Sequence, residues 1–420
     1  MLEVKDKVFS RERLAGYDPK RMNDSKVLIA GAGALGQNTA LDLALSGVGE
    51  LRVVDRDLFE EHNRTRSPLF PLPDEQEIYG LDKASVVARK LGRLMTAPTP
   101  VIRWANQWIQ ELGDGAFQGV SAVVSCVDSR IARAYLSDKA RQHGAAFIEG
   151  GFEAEHLQLM SVPAANSDDL PTSPCWRCSH PSIHGGSFSC RNYARRAEAA
   201  GIIPAIQNGA AVLGGLQAEA TILALHEELN EHPRARSFNV NIRTWESRVV
   251  ELTADSGCRG VHHRSSITPA RLRTTADDTV KQLLLEISEY LGSPTRLWLP
   301  MQTHSRLVWT VACTTKGCGR MAAVHGPEWR WIMDSRCSVC GGPFEAVNGA
   351  ASMYATAELS LRSKPEVLEA TCRQIGFAPL SFIGSAGEDA KSAHFENVPP
   401  PHLFELPGTL DDLYQSGETR

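Results

Sequence analysis

The chain has 420 residues, enough for two or three domains, and its formal net charge of −5 gives no sign of a nucleic-acid or membrane partner. The charged N-terminus lacks the apolar segment of a secretory signal, and no apolar run approaches the ~18 residues of a membrane span. Composition therefore argues against nucleic-acid-binding, secreted and membrane-spanning classes, and predicts a cytoplasmic protein. In that compartment ten cysteines indicate metal binding or catalysis rather than disulfides.

The first predicted unit is a strand, a glycine turn, a helix and a second strand between Lys26 and Asp55. The turn has the pattern G-x-G-x-x-G, in which glycines let the backbone approach a phosphate while the helix N-terminus offers unpaired N–H groups. An acid about 20 residues further on can accept ribose hydroxyls. The unit predicts a dinucleotide or ATP site, with a merely structural turn as the alternative. Its residues are Gly31, Gly33, Ala34, Gly36 and Asp55.

Alternating strands and helices continue to about residue 150. A loop is expected at 71–80, helices at 81–95, 108–112 and 129–143, and strands at 101–104, 120–127 and 145–148. This alternation predicts an α/β fold with a doubly wound, mostly parallel sheet and helices on both faces. Ligands of such sheets bind at the carboxyl ends of the strands, where Asp55 and Asp128 stand. Asp128 capping the next helix is the alternative.

The sequence changes in character at about residue 265. Before it come a long helix at 210–229 and two strands within 237–252; after it come an amphipathic helix at 277–291, strands at 296–299 and 306–312, and a helix at 366–375. Residues 399–420 are rich in proline and then acidic, which predicts a flexible tail. We therefore expect two domains, 1–264 and 265–420, the second an α+β domain.

Most of the cysteines have the spacing of zinc ligands. Cys313-x4-Cys318 and Cys337-x2-Cys340 form a zinc-ribbon pattern, in which two turns each offer two thiolates to a closed structural site. Cys175-x2-Cys178 has the same spacing but no second pair nearby. Cys126, in an apolar strand, and Cys372, on a helix, are interpreted as packing residues, and Cys190 has no cysteine near it in sequence.

Taken together, the motifs resemble the ThiF/MoeB/ubiquitin-activating (E1) superfamily over about residues 7–263. A resemblance of this kind implies the E1/ThiF adenylation fold, which is Rossmann-like. The motifs that carry it, in order, are Ser10-Arg11, the Gly31–Gly36 turn, Asp55-x-Asp57, Asn63-x-x-Arg66, Lys83, Cys126-x-Asp128, Cys175-x-x-Cys178, Cys190 and the helical segment 215–223.

Members of this superfamily use Mg-ATP to adenylate the C-terminal glycine carboxylate of a ubiquitin-like or sulfur-carrier protein. The resemblance implies that the glycine turn and the Asp55-x-Asp57 motif line the ATP site, with Asp55 on the ribose. It also implies that Asn63, Arg66 and Lys83 contact phosphates and that Asp128 holds magnesium. Arg11 would reach the ATP of the other subunit in a homodimer.

The residue types suit this chemistry. Attack of a carboxylate on the α-phosphate builds negative charge, which lysine, arginine and magnesium stabilise. An NAD-dependent oxidoreductase fits the glycine turn but has no use for a phosphate cluster of Asn63, Arg66 and Lys83. A catalytically idle scaffold is a third possibility, which the intact set of Arg11, Lys83 and Asp128 argues against.

The superfamily usually closes its first zinc site with a second cysteine pair. Here that place reads Cys258-Arg259-Gly260-Val261-His262, so the resemblance implies a Cys3His site with His262 as the fourth ligand. His263 is the alternative ligand, and a surface location for Cys258 and both histidines is the plainer interpretation. Two Zn²⁺ sites are therefore expected in the chain.

Cys190 falls where the superfamily often has a cysteine in a crossover loop. The arginines that follow it would favour a thiolate, and a thiolate can attack the acyl-adenylate to form a thioester. An incidental buried thiol is the alternative, and the eight-residue segment 191–198 behaves as an insertion in the motif order.

The sequence as a whole predicts a homodimeric E1-like enzyme that adenylates a ubiquitin-like protein, carries it on Cys190 and transfers it to an E2-like protein. The second domain is expected to recruit one of these partners. The pattern resembles standalone E1 enzymes of bacterial ubiquitination-like antiphage operons. The main alternative is sulfur-carrier adenylation in thiamin or molybdopterin synthesis.

Overall fold

The structure is a computed structural model. It describes residues 8–153, 155–165, 169, 171–180, 206–226, 234–258, 260–262, 268–298, 307–327, 336–346, 353–354, 358–387 and 402–416. The chain forms two compact units, each discontinuous in sequence. The first comprises Met1–Ile109, Ala116–Arg264 and Leu413–Arg420, and the second comprises Gln110–Gly115 and Ser265–Asp412.

The first unit is built on a nine-stranded sheet. Its helices are α1 (Ser10–Leu14), α2 (Pro19–Asp24), α3 (Ala34–Leu45), α4 (Pro73–Tyr79), α5 (Lys83–Leu94), α6 (Arg130–His143) and α7 (Gln207–Leu225). Its strands are β1 (Lys26–Ala30), β2 (Glu50–Val54), β3 (Val101–Ala105), β4 (Ala122–Ser125), β5 (Ala146–Glu153), β6 (His156–Val162), β7 (Arg236–Asn241), β8 (Ser247–Glu251) and, near the end of the chain, β18 (Gln415–Ser416).

The order of strands in this sheet is β18-β3-β2-β1-β4-β5-β6-β7-β8. Strands β3 to β5 in that order are parallel, while β6, β7, β8 and β18 pair antiparallel. From β1 the chain continues to β2 and β3 on one side of the sheet. It then crosses to β4, beside β1, and continues to β5 and β6 on the other side, so the strand order reverses between β1 and β4. The predicted α/β fold is confirmed, and the reversal marks the crevice where such sheets bind nucleotides.

Continuous burial explains why the central strands are parallel. All residues of β2 and β4 are buried, as are four of the five in β1, because helices cover both faces of this part of the sheet. Helices α3 and α7 pack closely against each other: a Cβ on Gly214 would lie 2.6 Å from the Cβ of Asn38. The core of the unit therefore lies directly beneath the β1–β4 crevice.

One predicted loop is a helix. Residues 71–80 are expected to form a loop, but Pro73 occupies the first turn of α4, where its missing N–H costs nothing. Glu75 accepts a hydrogen bond from the Leu72 amide at 2.8 Å, and Asp74 adds a second acid to the same turn. Capping and charge therefore favour a helix in this segment.

The second unit contains two smaller sheets. Its helices are α8 (Val280–Leu291), α9 (Pro365–Leu368) and α10 (Cys372–Ile375). Its strands are β9 (Ala270–Arg271), β10 (Thr295–Trp298), β11 (Leu307–Cys313), β12 (Met321–Pro327), β13 (Phe344–Ala346), β14 (Met353–Tyr354), β15 (Glu358–Ser360), β16 (Phe382–Gly387) and β17 (His402–Glu405). The five-stranded sheet has the order β15-β10-β16-β17-β9, and the other has β12-β11-β13 with β14 also paired to β11.

A core of α8 and the five-stranded sheet holds the second unit together. The buried side chains of α8, including Leu283, Leu284 and Ile287, pack with Leu297 of β10 and Ile383 of β16. The helix starts with a capping box between Thr279 and Gln282. None of the helices in the described residues is long and apolar enough to cross a membrane.

The predicted flexible tail is wrong for residues 402–416. Strand β17 pairs with β16 and β9 in the second unit, and β18, which belongs to the first unit, pairs with β3 in that unit's sheet. Leu413 and Tyr414 are buried, and the Tyr414 hydroxyl donates to the Ala116 carbonyl at 3.3 Å. These two apolar side chains outweigh the acidic composition around them because their burial stabilises the docked segment.

Candidate functional site

The glycine turn lies at the carboxyl end of β1, beside the end of β4. Gly31 has φ +95°, and a Cβ there would lie 2.6 Å from the Cys126 carbonyl oxygen. A Cβ on Gly36 would overlap the Gly31 carbonyl. A Cβ on Gly33 would meet nothing within 4 Å, so the turn faces open space at this residue, which is also the N-cap of α3. A phosphate at that point would face the amide groups of the helix N-terminus.

Asp55 holds the turn in place from the end of β2. Its carboxylate accepts hydrogen bonds from the Ala32 amide at 2.6 Å and the Asp57 amide at 2.8 Å. Burial raises the pKa of Asp55, and these amide donors oppose the shift because they favour the charged form. Asp55 therefore fixes the glycine turn and, as the acid at the end of β2, stands where a ribose would lie.

The predicted phosphate ligands follow on two short elements. A 3-10 helix, Glu61–Arg66, carries buried Asn63, whose Oδ1 accepts from the Glu60 amide at 3.1 Å. Lys83 is the first residue of α5, and its Nζ lies 3.3 Å from Asp57 Oδ2. Arg66 is half-buried and forms no ion pair with any carboxylate among the described residues. A guanidinium without an ion partner among the described residues is suited to bind an anion.

Asp128 lies two residues past Cys126, after the end of β4, and is exposed. The cap of α6 is Ser129, whose side chain accepts from the Ala132 amide at 3.3 Å. The alternative that Asp128 caps this helix is therefore wrong. In the part of the chain that the structure describes, its carboxylate accepts no hydrogen bond, so its oxygens are suited to a hard cation such as magnesium.

The structure brings most of the predicted nucleotide residues to one sheet edge. The turn contacts β4 through Gly31 and Cys126, Asp55 bonds the turn, and Asp57 links to Lys83. Arg11 is different: it lies on α1, a helix with no buried residue, and forms no hydrogen bond or ion pair with this edge in the single chain.

The sequence interpretation missed two groups at this edge. The guanidinium of Arg56, the residue after Asp55, lies 3.5 Å from the centroid of the Trp108 ring. Gln217 of α7 donates to the Ser125 carbonyl at 3.2 Å and accepts from Thr39 at 3.0 Å, tying α3 and α7 to the end of β4. The segment 215–223 signalled Gln217 only as part of a motif, and no local pattern singles out the Arg56–Trp108 contact.

Cys175, Cys178, Cys258 and His262 form the first metal-ligand cluster, with all four ligand atoms within 4.8 Å of one another. The Sγ of Cys175 lies 3.7 Å from that of Cys178 and 3.6 Å from that of Cys258, and Cys178 Sγ lies 3.5 Å from His262 Nε2. A tetrahedral zinc with bonds of about 2.3 Å to sulfur places ligands about 3.8 Å apart. The donor set and its spacing therefore fit Zn²⁺. The alternative of surface residues is wrong for Cys258 and His262, which are buried.

Buried charges on α6 support this cluster. Asp138 is fully buried, pairs with Arg177 and accepts from the Val261 amide at 3.2 Å. Arg141 donates to the Val261 carbonyl at 2.7 Å and the Ser173 carbonyl at 2.9 Å. These bonds orient the backbone on both sides of the cysteines, as outer-shell groups do in metal sites.

The second cluster is in the other unit. Cys313, Cys318, Cys337 and Cys340 also have their ligand atoms within 4.8 Å of one another, with Sγ–Sγ distances of 3.4 Å between Cys313 and Cys340 and 3.7 Å between Cys318 and Cys337. Strands β11 and β13 bring the two halves together. Four thiolates at this spacing fit a closed structural zinc site.

The remaining cysteines either lie outside the described residues or are packing residues. Cys190, His263 and segment 191–198 lie outside the described residues. Cys126 and Cys372 fit their interpretation as packing residues, because burial raises the pKa of each thiol to about 12.

The ThiF family matches residues 11–260, which is more than half of the chain. The chain belongs to the ThiF family. Its match covers the sheet apart from β18, the nucleotide edge and all of the first cluster except His262.

Individual relatives cover smaller parts of the chain. The adenylyltransferase and sulfurtransferase uba4 of Emericella nidulans is 31% identical over 163 residues, which are 38% of this chain and 33% of that protein. The sulfur carrier protein ThiS adenylyltransferase of Bacillus subtilis is 27% identical over 239 residues, 56% of this chain and 63% of that protein. The chain thus spans about a third of the first of these relatives. Among solved structures, E. coli MccB with ATP has a TM-score of 0.49 at 16% identity, covering 61% of this chain and 74% of that one.

Proposed function

We propose that this ThiF-family chain is an ATP-dependent adenylyltransferase that activates the C-terminal carboxylate of a ubiquitin-like or sulfur-carrier protein. The observation that carries the proposal is the set of groups left open at one sheet edge. The turn is open at Gly33, Arg66 has no carboxylate partner, and Asp128 is exposed without a hydrogen-bond donor among the described residues.

Each group has a part in the reaction. A carboxylate oxygen of the carrier attacks the α-phosphate of ATP, the bond to the β-phosphate breaks, and pyrophosphate leaves. Arg66, Lys83 and the N-terminus of α3 would stabilise the charge that builds on the phosphates. Asp128 would hold magnesium, which supplies a further positive charge to the phosphates. Asp55 and Asp57 would place the ribose, and Asn63 would lie against the phosphates.

An NAD-dependent oxidoreductase accounts less well for this edge. Hydride transfer requires no cations beyond those that neutralise the two phosphates of the dinucleotide, yet Lys83 lies beside Asp57 and the same motif order also supplies Arg66. A half-buried arginine without a carboxylate partner among the described residues is available to an anion. ATP, with three phosphates, supplies that anion.

Two continuations of the adenylate are open. In the first, the Cys190 thiolate attacks the adenylated carboxylate, AMP leaves, and the resulting thioester passes to an E2-like protein. The second is sulfur-carrier activation for thiamin or molybdopterin synthesis. The similarity to a sulfurtransferase and to a sulfur-carrier adenylyltransferase favours sulfur-carrier activation. We keep the thioester route as the first proposal because Cys190 precedes an arginine-rich segment that would favour its thiolate.

The remaining partners follow from the same proposal. The enzyme would act as a homodimer in which Arg11 reaches the ATP of the other subunit, since α1 has no buried residue and Arg11 forms no ion pair with the nucleotide edge among the described residues. Residues 1–264 would form the adenylation domain, and residues 265–420 would recruit the carrier or the E2-like protein. An antiphage operon is the genetic setting we propose for a conjugating enzyme of this kind.

Pyrophosphate exchange tests the adenylation step. With a candidate carrier protein, radioactive pyrophosphate should enter ATP, and the exchange should vanish in Asp128→Ala. Asp74→Asn, which removes an acid from the exposed first turn of α4, is the control and should exchange normally. Exchange that survives Asp128→Ala would remove the magnesium role.

A thiol-sensitive adduct tests the continuation. Wild type with carrier and ATP should give a band of enzyme plus carrier that reducing agent removes. Cys190→Ala should lose the band and keep the exchange. Exchange without any adduct in wild type would favour sulfur-carrier activation instead.

A further inference from the structure

A buried ion pair lies next to the proposed magnesium acid. Glu149 is the fourth residue of β5, where it pairs with Ser125 at the end of β4, and its side chain is 2% exposed. Arg133 is on the first turns of α6 and is 21% exposed, with its Nη1 2.5 Å from Glu149 Oε1. The pair belongs neither to the predicted phosphate cluster nor to either cysteine cluster.

Arg133 also makes a hydrogen bond that its ion pair with Glu149 does not require. Its Nε donates to the Val127 carbonyl at 2.9 Å, and Val127 immediately precedes Asp128. The planar guanidinium therefore reaches from β5 to the turn that carries the magnesium acid. Room for this bridge depends on Gly151, where a Cβ would lie 3.1 Å from Arg133 Nη1.

The rest of that turn has little else to fix it. Ser129 caps α6 from the other side of Asp128, but the Asp128 side chain itself is exposed and accepts no bond among the described residues. The direction of its carboxylate thus depends on the backbone at Val127 and Ser129. Glu149 fixes the guanidinium, and the guanidinium fixes Val127.

We propose that Arg133 is a positioning residue that, held by Glu149, orients Asp128 toward the metal of Mg-ATP. This proposal rests on the proposed function, because it needs Asp128 to be the metal acid. The pair also cancels the charge of Glu149, so that this acid, level with the end of β4, does not compete with Asp128 for the cation. Arg133 would touch neither ATP nor the carrier.

The two functions of Arg133 can be separated by substitution. Arg133→Lys keeps a cation that can reach Glu149, so the buried carboxylate remains paired. A lysine is a point charge without the fork of the guanidinium, so it cannot hold Glu149 and Val127 together. Glu149→Gln keeps the size of the side chain but removes the charge that fixes Arg133. Arg130→Lys is the matched control, the same substitution in the same helix turn.

The measurement is Mn²⁺ binding to the full chain with a non-hydrolysable ATP analogue, followed by electron paramagnetic resonance. We expect Arg133→Lys and Glu149→Gln to bind Mn²⁺ about tenfold or more weakly, the usual effect of losing an outer-shell group. Affinity for the analogue without metal should stay at the wild-type value. Arg130→Lys should match wild type in both.

The outcomes distinguish failure of the Arg133 inference from failure of the proposed function on which it rests. If wild type binds Mn²⁺ with the analogue and Arg133→Lys binds it equally well, Arg133 is a structural ion-pair partner and the inference is overturned. A fall in melting temperature without a change in Mn²⁺ affinity overturns it in the same way. If wild type binds no Mn²⁺ with the analogue, or Asp128→Ala binds it normally, the magnesium assignment itself is wrong.

Discussion

The nucleotide edge and the first cysteine cluster both gather charged side chains, but they leave them in different states. Beside the cluster, Asp138 and Arg177 are buried and paired with each other. At the nucleotide edge, Arg66 has no carboxylate partner and Asp128 is exposed without a donor among the described residues.

This difference separates a region that maintains structure from one that binds. A paired buried charge fixes the backbone around it, and breaking the pair is costly. An unpaired charge at a strand end adds nothing to stability until a ligand supplies its partner. Substitutions in the cluster should therefore affect folding first, and those at the nucleotide edge should affect binding first.

The largest effect should come from Arg177→Ala. This change leaves the Asp138 carboxylate buried without its cation, which costs about 3–5 kcal/mol of unfolding free energy. Denaturant unfolding of the zinc-loaded protein measures it. Asp138→Ala together with Arg177→Ala should recover part of the loss because no charge is then stranded. If the single variant is as stable as wild type, the pair is not what holds the cluster.

Within the glycine turn, substitution of Gly36 should affect folding and substitution of Gly33 should affect ATP binding. A Cβ on Gly36 would overlap the Gly31 carbonyl, so Gly36→Ala should cost about 1–3 kcal/mol of stability through overpacking. A Cβ on Gly33 meets no atom within 4 Å, so Gly33→Ala should fold normally and lose affinity for ATP because the methyl group occupies phosphate space. Melting curves and ATP titration measure the two. Normal ATP binding by Gly33→Ala would contradict the location of the phosphates.

Arg66→Ala should weaken binding and spare folding. A charge-assisted hydrogen bond to phosphate contributes about 1.5–3 kcal/mol, equivalent to roughly 10- to 150-fold in the dissociation constant for ATP. Stability should stay at the wild-type value because Arg66 has no ion partner to strand. Calorimetry with ATP gives the affinity, and Arg64→Ala, an exposed residue paired with Glu61, is the control. Loss of stability without loss of affinity would assign Arg66 to the structural class.

Sequence patterns were sufficient for the α/β fold. Alternating apolar strands and helices give the doubly wound sheet, because buried parallel strands are apolar throughout. Asn63, Arg66 and Lys83 are grouped by the resemblance to the superfamily rather than by a local pattern, and their roles stay predictions. The sequence offers Asp128 as a possible cap of α6, whereas the structure gives that position to Ser129; both residue types favour it, so propensity alone does not decide between them.

What sequence could not reveal depends on contacts between distant residues. Glu149 and Arg133 carry no spacing that marks a pair, and their link to Val127 appears only when β4, β5 and α6 are assembled. Strand β18 is two residues long and lies in an acidic segment, so its local propensity is negligible. Its pairing with β3 follows from burial of Leu413 and Tyr414.

The smallest effect should come from Tyr414→Phe, at a third place where buried charges are paired. Arg52 is fully buried, bonds Glu50 at 2.7 Å and donates to the Ala116 carbonyl at 2.9 Å, the same oxygen that Tyr414 reaches at 3.3 Å. Because Arg52 still satisfies that carbonyl, losing the hydroxyl should cost only about 0.5–1.5 kcal/mol of unfolding free energy, and ATP affinity should not change. Tyr414→Ala is the comparison and should cost more, since it also removes the ring that covers Arg52. A change in ATP affinity in Tyr414→Phe would mean that paired charges in this unit also serve binding, and the division between the two regions would fail.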